Sequence, residues 1–229
     1  MVDFHFPDKL SDEVLARREQ LPLKPAPVTL QGRYVHLRPL DLARDAEGLF
    51  AIQNGQAITI GDYSTEAYDA EKLIWLYLAG GNFESPAALA AYLQPQVDAA
   101  DGLAMCVLDA KTDHPVGVTT FMSNVPAHLK IELGNIWYGR LVQGTQVNTE
   151  AIYLMLKHAF ELGYRRLEWK CNALNERSRK VALKLGFRFE GIQEYHYIIK
   201  GRNRDTAWYR MLDLEWEGVK AALEARLYG

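Results

Sequence analysis

The residues whose types and spacing suit chemistry gather in positions 138–151, YGRLVQGTQVNTEA. An extended segment there gives way, through a loop holding Gly144 and small polar side chains, to the start of a helix that Asn148 or Thr149 can cap. A helix start offers backbone N–H groups with no intrahelical acceptor and the positive end of the dipole, which suits a pyrophosphate. Spacing alone does not separate that use from an ordinary capped loop. Other chemistries lack their residues: the nucleophile elbow GxSxG, the zinc helix HExxH and the phosphate loop GxxxxGK[ST] do not occur. The six histidines are scattered and no metal site is expected. Two cysteines, Cys106 and Cys171, lie among apolar neighbours and read as buried free thiols of a reducing compartment, hence a cytoplasmic protein.

The elements that must position this loop follow from periodicity and punctuation. Helix is expected over residues 8–20, then an extended connector through LPLKPAPV, where each proline disfavours helix before it. Short strands follow at 28–30 and 34–37, and Asp41 caps a helix reaching about Gln53. Residues 54–84 carry no clear period. Ser85 and Pro86 open a helix over 87–97, and strands at 104–109, 117–124 and 130–138 read as an antiparallel meander. A helix over 149–162 ends at Gly163, a strand covers 166–171, and a helix over 175–185 stops at Gly186. A long hairpin, 187–200 with 206–212, turns at GRNRD, and a helix over 215–227 closes the chain. Strands, helix, strand, helix and hairpin in that order make an α/β or α+β domain over residues 28–229, preceded by an arm over 1–27.

The chain has 229 residues, 48% hydrophobic and 24% charged, which suits a soluble globular protein with a sizeable core. A net charge of −3 argues against a nucleic-acid footprint. No apolar run approaches the ~20 residues that span a bilayer, and the first twenty residues lack the pattern of a signal peptide.

Four blocks in order, IELGNIWY at 131–138, QGTQVNTEA at 143–151, HAFELGYRRLEWK at 158–170 and NALNERSRKVALKLGFRFEG at 172–191, resemble a GNAT-superfamily N-acetyltransferase of the RimJ/RimL-like branch. The resemblance covers about residues 28–216. It implies a mixed, mostly antiparallel sheet flanked by helices and splayed near 132–137. Acetyl-CoA would lie in the splay as cosubstrate, with its pantetheine arm on the backbone of Ile136, Trp137 and Tyr138. Its pyrophosphate would meet Leu141, Val142, Gln143, Gly144, Thr145 and Gln146. Asn175 and Ser178 match positions that face the pantetheine and the sulfur in similar enzymes.

The resemblance further implies acetyl transfer to a primary amine, of a small molecule or a protein N-terminus, by direct attack in a ternary complex. A catalytically silent coenzyme A- or partner-binding relative is the alternative, prompted by a departure in the loop. The superfamily pattern Gln/Arg-x-x-Gly-x-Gly/Ala has Leu141 and Gln146 at its first and last positions here, so a small residue that permits close backbone approach is missing. In the active reading Glu132 is the base and Ser178 the acid or thiolate donor, with backbone N–H groups of 135–137 on the thioester carbonyl. Against these stand a Glu132 that is an exposed strand carboxylate paired with an arginine, a surface Ser178 and an Asn175 that only caps. Tyr195 or Tyr197 could supply the acid, or equally line an acceptor pocket or pack beneath it, and His128 could be the base. Trp75 and Tyr77 read as core or pocket, and Lys200, Arg202 and Arg204 most simply as a solvated hairpin tip that could also steer an acidic partner. The chain is expected to be a monomer or homodimer, away from membranes.

Overall fold

The computed structural model describes residues 8–81 and 83–229, so residues 1–7 of the expected N-terminal arm lie outside it. The arm begins with α1 (Asp12–Gln20), capped by the Ser11 hydroxyl, which accepts from the Val14 N–H. It is tied down by Asn124, whose side-chain amide donates to the carbonyls of Pro22 and Leu23. After β1 (Leu30–Gln31), β2 (Val35–Pro39) and α2 (Leu42–Ala51) comes a small hairpin of β3 (Ile58–Ile60) and β4 (Tyr63–Thr65). One π-helical turn, Glu71–Trp75, occupies the stretch in which the sequence shows no period. Next come α3 (Pro86–Asp98), β5 (Leu103–Asp109), β6 (Pro115–Val125), β7 (Lys130–Tyr138) and α4 (Gln146–Glu161). The chain ends with β8 (Arg166–Asn172), α5 (Glu176–Lys184), β9 (Arg188–Ile199), β10 (Arg202–Leu212) and α6 (Asp213–Tyr228).

Eight strands form one sheet in the order β1-β2-β5-β6-β7-β8-β10-β9. Every neighbouring pair is antiparallel except β7 with β8, which α4 joins by a crossover. The expected meander is β5–β6–β7. One face of the sheet packs on α4, α5 and α6 through residues such as Leu133, Leu167, Met155 and Trp216. The other packs on α2, α3 and the π-helical turn, but only over β2, β5, β6 and the end of β7. Over β8, β10 and β9 that second face carries ion pairs and Trp208 and, among the described residues, no helix.

Three expectations are corrected. The α4 helix starts one turn earlier than the apolar period suggests, because Thr145, and neither Asn148 nor Thr149, is its cap: its hydroxyl accepts from the Val147 N–H at 3.3 Å. The hairpin turn is the two residues Lys200 and Gly201, both at positive φ, so β10 begins at Arg202 and Arg204 lies within a strand. The basic tip is also not simply solvated, since the Lys200 ammonium donates to Glu71 at 2.5 Å and to the Trp75 carbonyl at 2.9 Å.

Candidate active site

The site begins where β7 and β8 part. Their parallel pairing runs from Lys130–Arg166 to Leu133–Trp169 and stops, although both strands continue. Beyond that point the β7 edge that faces β8 carries backbone N–H and C=O groups with no strand partner, a V-shaped opening in the middle of the sheet. On its other edge β7 stays paired with β6, with Thr120 opposite Gly134 and Val118 opposite Trp137. Two residues, Asn135 and Ile136, therefore face the single Thr119: a β-bulge, with Asn135 at φ 50°.

The bulge changes which face each later side chain takes. Ile131 and Leu133 point toward α4, and so do Ile136 and Tyr138, while Trp137 turns to the α2/α3 side beside Trp75, with ring centroids 5.1 Å apart. Trp75 is fully buried and donates its indole N–H to Gln53 at 2.8 Å, which makes it core and not pocket. The side chains of Trp137 and Tyr138 are buried in core clusters as well, so this strand offers its backbone to the opening.

Glu132 stands at the last paired stretch of β7, 1% exposed. The Lys170 ammonium donates to one of its oxygens at 2.7 Å, and the other, Oε1, is buried without a partner. Burial raises its pKa above the ordinary carboxylate range, and the Lys170 charge opposes that only in part. Such a carboxylate holds a proton more readily than an exposed one and has a free lone pair with which to take it. The neighbouring Glu168 differs: paired with Arg166 at 2.7 Å and Lys130 at 3.0 Å, it is held below its usual range against the burial that would raise it.

Residues 139–146 close the top of the opening. Val142 is buried and Leu141 packs between the two core clusters, so the apolar residue at position 141 has its cause in packing. Gly144 has φ +82° and nothing within 4 Å of where a Cβ would stand, an exposed backbone site that a ligand can approach closely. The α4 helix begins at Gln146, leaving its first N–H groups without intrahelical acceptors. The Gln146 side chain does not crowd this loop; it is turned toward α6, 3.5 Å from the Arg226 carbonyl.

The α5 helix supplies the opposite wall. The Asn175 side-chain oxygen caps it by accepting from the Ser178 N–H at 3.0 Å, which leaves the Asn175 amide donors for a ligand. The Ser178 hydroxyl accepts from the Trp169 indole at 3.1 Å and keeps its own proton to donate. Arg177, which no motif singles out, reaches across to Gln143 at 3.1 Å and to the Leu73 carbonyl at 3.4 Å, bringing a cation to the loop.

The structure thus gathers Glu132, the 135–137 backbone, the 141–146 loop, Asn175 and Ser178 around one opening. It does not bring in His128, exposed in the turn before β7, and Tyr195 is 76% exposed at the rim of the hairpin. Sequence reasoning missed Lys170 and Arg177, and read Arg204 only as part of a hairpin tip. Lys170 had a signal, since β7 and β8 in parallel put 132 and 170 on one face; the other two depend on contacts between distant segments.

A family model described as an acetyltransferase (GNAT) domain matches residues 35–188. The crystal structure of a GCN5-related N-acetyltransferase from Brucella melitensis is 36% identical, with a TM-score of 0.80 over 89% of this chain and 87% of that one. A ribosomal-protein-serine acetyltransferase of Escherichia coli (strain K12) is 32% identical over 114 residues, 49% of this chain and 63% of that protein. The chain spans 50% and 63% of the lengths of the two curated relatives it matches.

Proposed function

We propose, from the premise that this chain belongs to the GNAT acetyltransferase family, that it transfers an acetyl group from acetyl-CoA to a primary amine, that of a protein N-terminus or a small molecule. The observation that carries this reading is the parting of β7 from β8 after Leu133 and Trp169, with a bulge and a half-satisfied buried carboxylate at its apex. The residues fit the cosubstrate. Gly144, the first turn of α4 and Arg177 offer donors and positive charge for phosphates, and the unpaired β7 edge offers an amide-like arm the hydrogen bonds of a missing strand. When bound, acetyl-CoA supplies a thioester carbonyl as the electrophile.

The chain's own groups do the rest. Glu132 accepts a proton from the ammonium form of the acceptor, directly or through water, because only the neutral amine attacks. Backbone N–H groups of 135–137 polarise the carbonyl, and one such donor is worth roughly 2.7–4 kcal/mol in rate. Ser178 donates a hydrogen bond to the departing thiolate, which leaves with the proton released by the attacking amine or from water. Asn175 holds the arm, and the side chains of Ile136, Trp137 and Tyr138 anchor the strand whose backbone is used. The E. coli relative is named for acetylating a serine of a ribosomal protein, which supports taking the amine of a serine-initiated peptide as the first candidate. No helix among the described residues is long and apolar enough to cross a membrane. Two buried free cysteines fit a cytoplasmic setting.

Calorimetric titration with acetyl-CoA, followed by thiol release across an amine panel that includes serine-initiated peptides, tests the reading. Binding followed by release with at least one amine supports it. Binding without release from any amine leaves a silent coenzyme A binder, and absence of binding at millimolar concentration removes both.

A further inference from the structure

Strands β7, β8, β9 and β10 carry seven cationic side chains, and five have a carboxylate partner: Lys130, Arg166, Lys170, Arg188 and Arg210. Of the other two, Arg202 is exposed beside the hairpin turn. Arg204 is different. It is partly buried, its Nε is buried with no hydrogen-bond partner, and it has no carboxylate within ion-pair distance among the described residues. A guanidinium left so is costly unless something anionic completes it.

Its surroundings point into the opening. Arg204 lies over the Tyr197 ring, 5.2 Å from the centroid, and Tyr197 lies against His196 with centroids 3.8 Å apart and ring planes tilted by 35°. His196 in turn touches Thr206 through Nδ1 at 3.0 Å and neighbours Trp208. Burial is the largest influence on Arg204 and pulls its pKa down, and Tyr197, Cys171 and Glu132 lie near enough to oppose that. Burial also lowers the His196 pKa, with the charges of Lys170 and Arg204 adding to that. Lys170 and Cys171 are the first β8 residues beyond its pairing with β7. The cation therefore stands by the part of β8 that has left β7, among the rings of Tyr197, His196 and Trp208 and near the Glu132–Lys170 pair.

We infer that Arg204 binds a carboxylate carried by the acceptor, so that the preferred substrates are amines bearing an acid group, either the carboxylate of a small amino acid or an acidic side chain close behind a peptide N-terminus. This rests on the acetyl-transfer reading for its activity readout but not for its binding one. A planar guanidinium fork matches a carboxylate with two parallel bonds, and the Tyr197 face keeps the fork in place.

The test compares each acid with its uncharged isostere in the full chain. One arm uses 4-aminobutanoate against its amide; the other uses Ser-Asp-Ala-amide against Ser-Asn-Ala-amide. Wild type is expected to favour the acid in kcat/KM by about tenfold to a hundredfold in at least one arm, which then names the source of the carboxylate. Arg204→Met should erase that preference and leave acetyl-CoA affinity and the uncharged acceptor's kcat/KM unchanged, while Arg204→Lys keeps part of it. Calorimetry of the same pairs with coenzyme A bound gives a readout that needs no turnover. Arg204-dependent acid binding without acetylation would uphold the inference and remove the activity reading. The inference is overturned if wild type ignores the acid in both rate and binding, whatever the variants do. It is equally overturned if Arg204→Met lowers kcat alike for acid and amide, which would assign the guanidinium to the thioester carbonyl.

Discussion

Two carboxylates in this protein are equally hidden from solvent and differently served. Glu150, in the first turns of α4, is 0% exposed and accepts the backbone N–H groups of Arg33, Tyr34 and Val35 at 2.8, 2.6 and 2.9 Å. The Tyr228 hydroxyl adds a fourth bond at 2.8 Å. Glu132 is 1% exposed and accepts from Lys170, with Oε1 left bare. The first is a knot: it ties the β1–β2 turn, α4 and the end of α6 together, and the carboxylate sits where Gly32 has no side chain, since a Cβ there would stand 2.5 Å from it. The second keeps a lone pair in reserve beside an opening in the sheet. Burial alone therefore does not mark a working group; the count of bonds left unmade does.

The comparison breaks most visibly at Glu150. Glu150→Ala strands three backbone donors, each at roughly 1–3 kcal/mol, so unfolding by urea should show a loss of at least about 3 kcal/mol. Coenzyme affinity per folded molecule should hold. A loss under about 1 kcal/mol would mean that water replaces the carboxylate and that the knot is not structural.

Glu132→Gln is expected to act on rate. As the base it should lower turnover at neutral pH by about 10²–10⁴-fold with little change in acetyl-CoA affinity. The sign of the pH effect follows from the raised pKa of Glu132. The carboxylate ionises later than an ordinary one, so wild-type turnover should climb with pH through that raised value, and the Gln variant should lack this limb. In stability, protonated Glu132 is favoured by folding. Its contribution is complete below the unfolded value of ~4.3 and is lost as pH rises through the folded pKa. Wild type should therefore gain more on acidification than the variant, as measured by thermal melts across pH. A rate loss uniform at every pH would instead give Glu132 an orienting role through Lys170.

How far the sequence reaches can be judged on the same residues. The strands flanking the site, the start of β7 at Lys130 and the Asn175 cap are legible because each is set by local pattern. The Thr145 cap was hidden by an apolar period that begins later than the helix does. The bulge left a trace, since Ile131 and Leu133 keep one alternation and Ile136 and Tyr138 the other, yet only strand pairing shows what that phase change means. The contacts of Lys200 with Glu71, of Arg177 with Leu73 and of Arg204 with the opening join segments far apart in the chain. No local period encodes them.

The smallest expected effect extends the comparison from carboxylates to a hydroxyl. The Ser178 hydroxyl accepts from the Trp169 indole and donates to no protein oxygen or nitrogen among the described residues, as Glu132 has a lone pair without a donor. It already neighbours one sulfur: burial raises the pKa of the Cys171 thiol, and the Ser178 hydroxyl pulls it back down. Val181 and Leu185 tie the same helix face to the core, which holds the hydroxyl in place. Ser178→Ala should thus keep the fold, leave coenzyme affinity nearly unchanged, and lower turnover by about tenfold to a hundredfold, the value of a hydrogen bond to a charged sulfur. The neighbouring thiol offers a control. If the hydroxyl serves the leaving thiolate, Cys171→Ala should leave turnover near wild type and Ser178→Ala should still cost its full factor in that background. If instead Ser178→Ala is silent while Tyr195→Phe or Tyr197→Phe abolishes turnover, the proton comes from the hairpin.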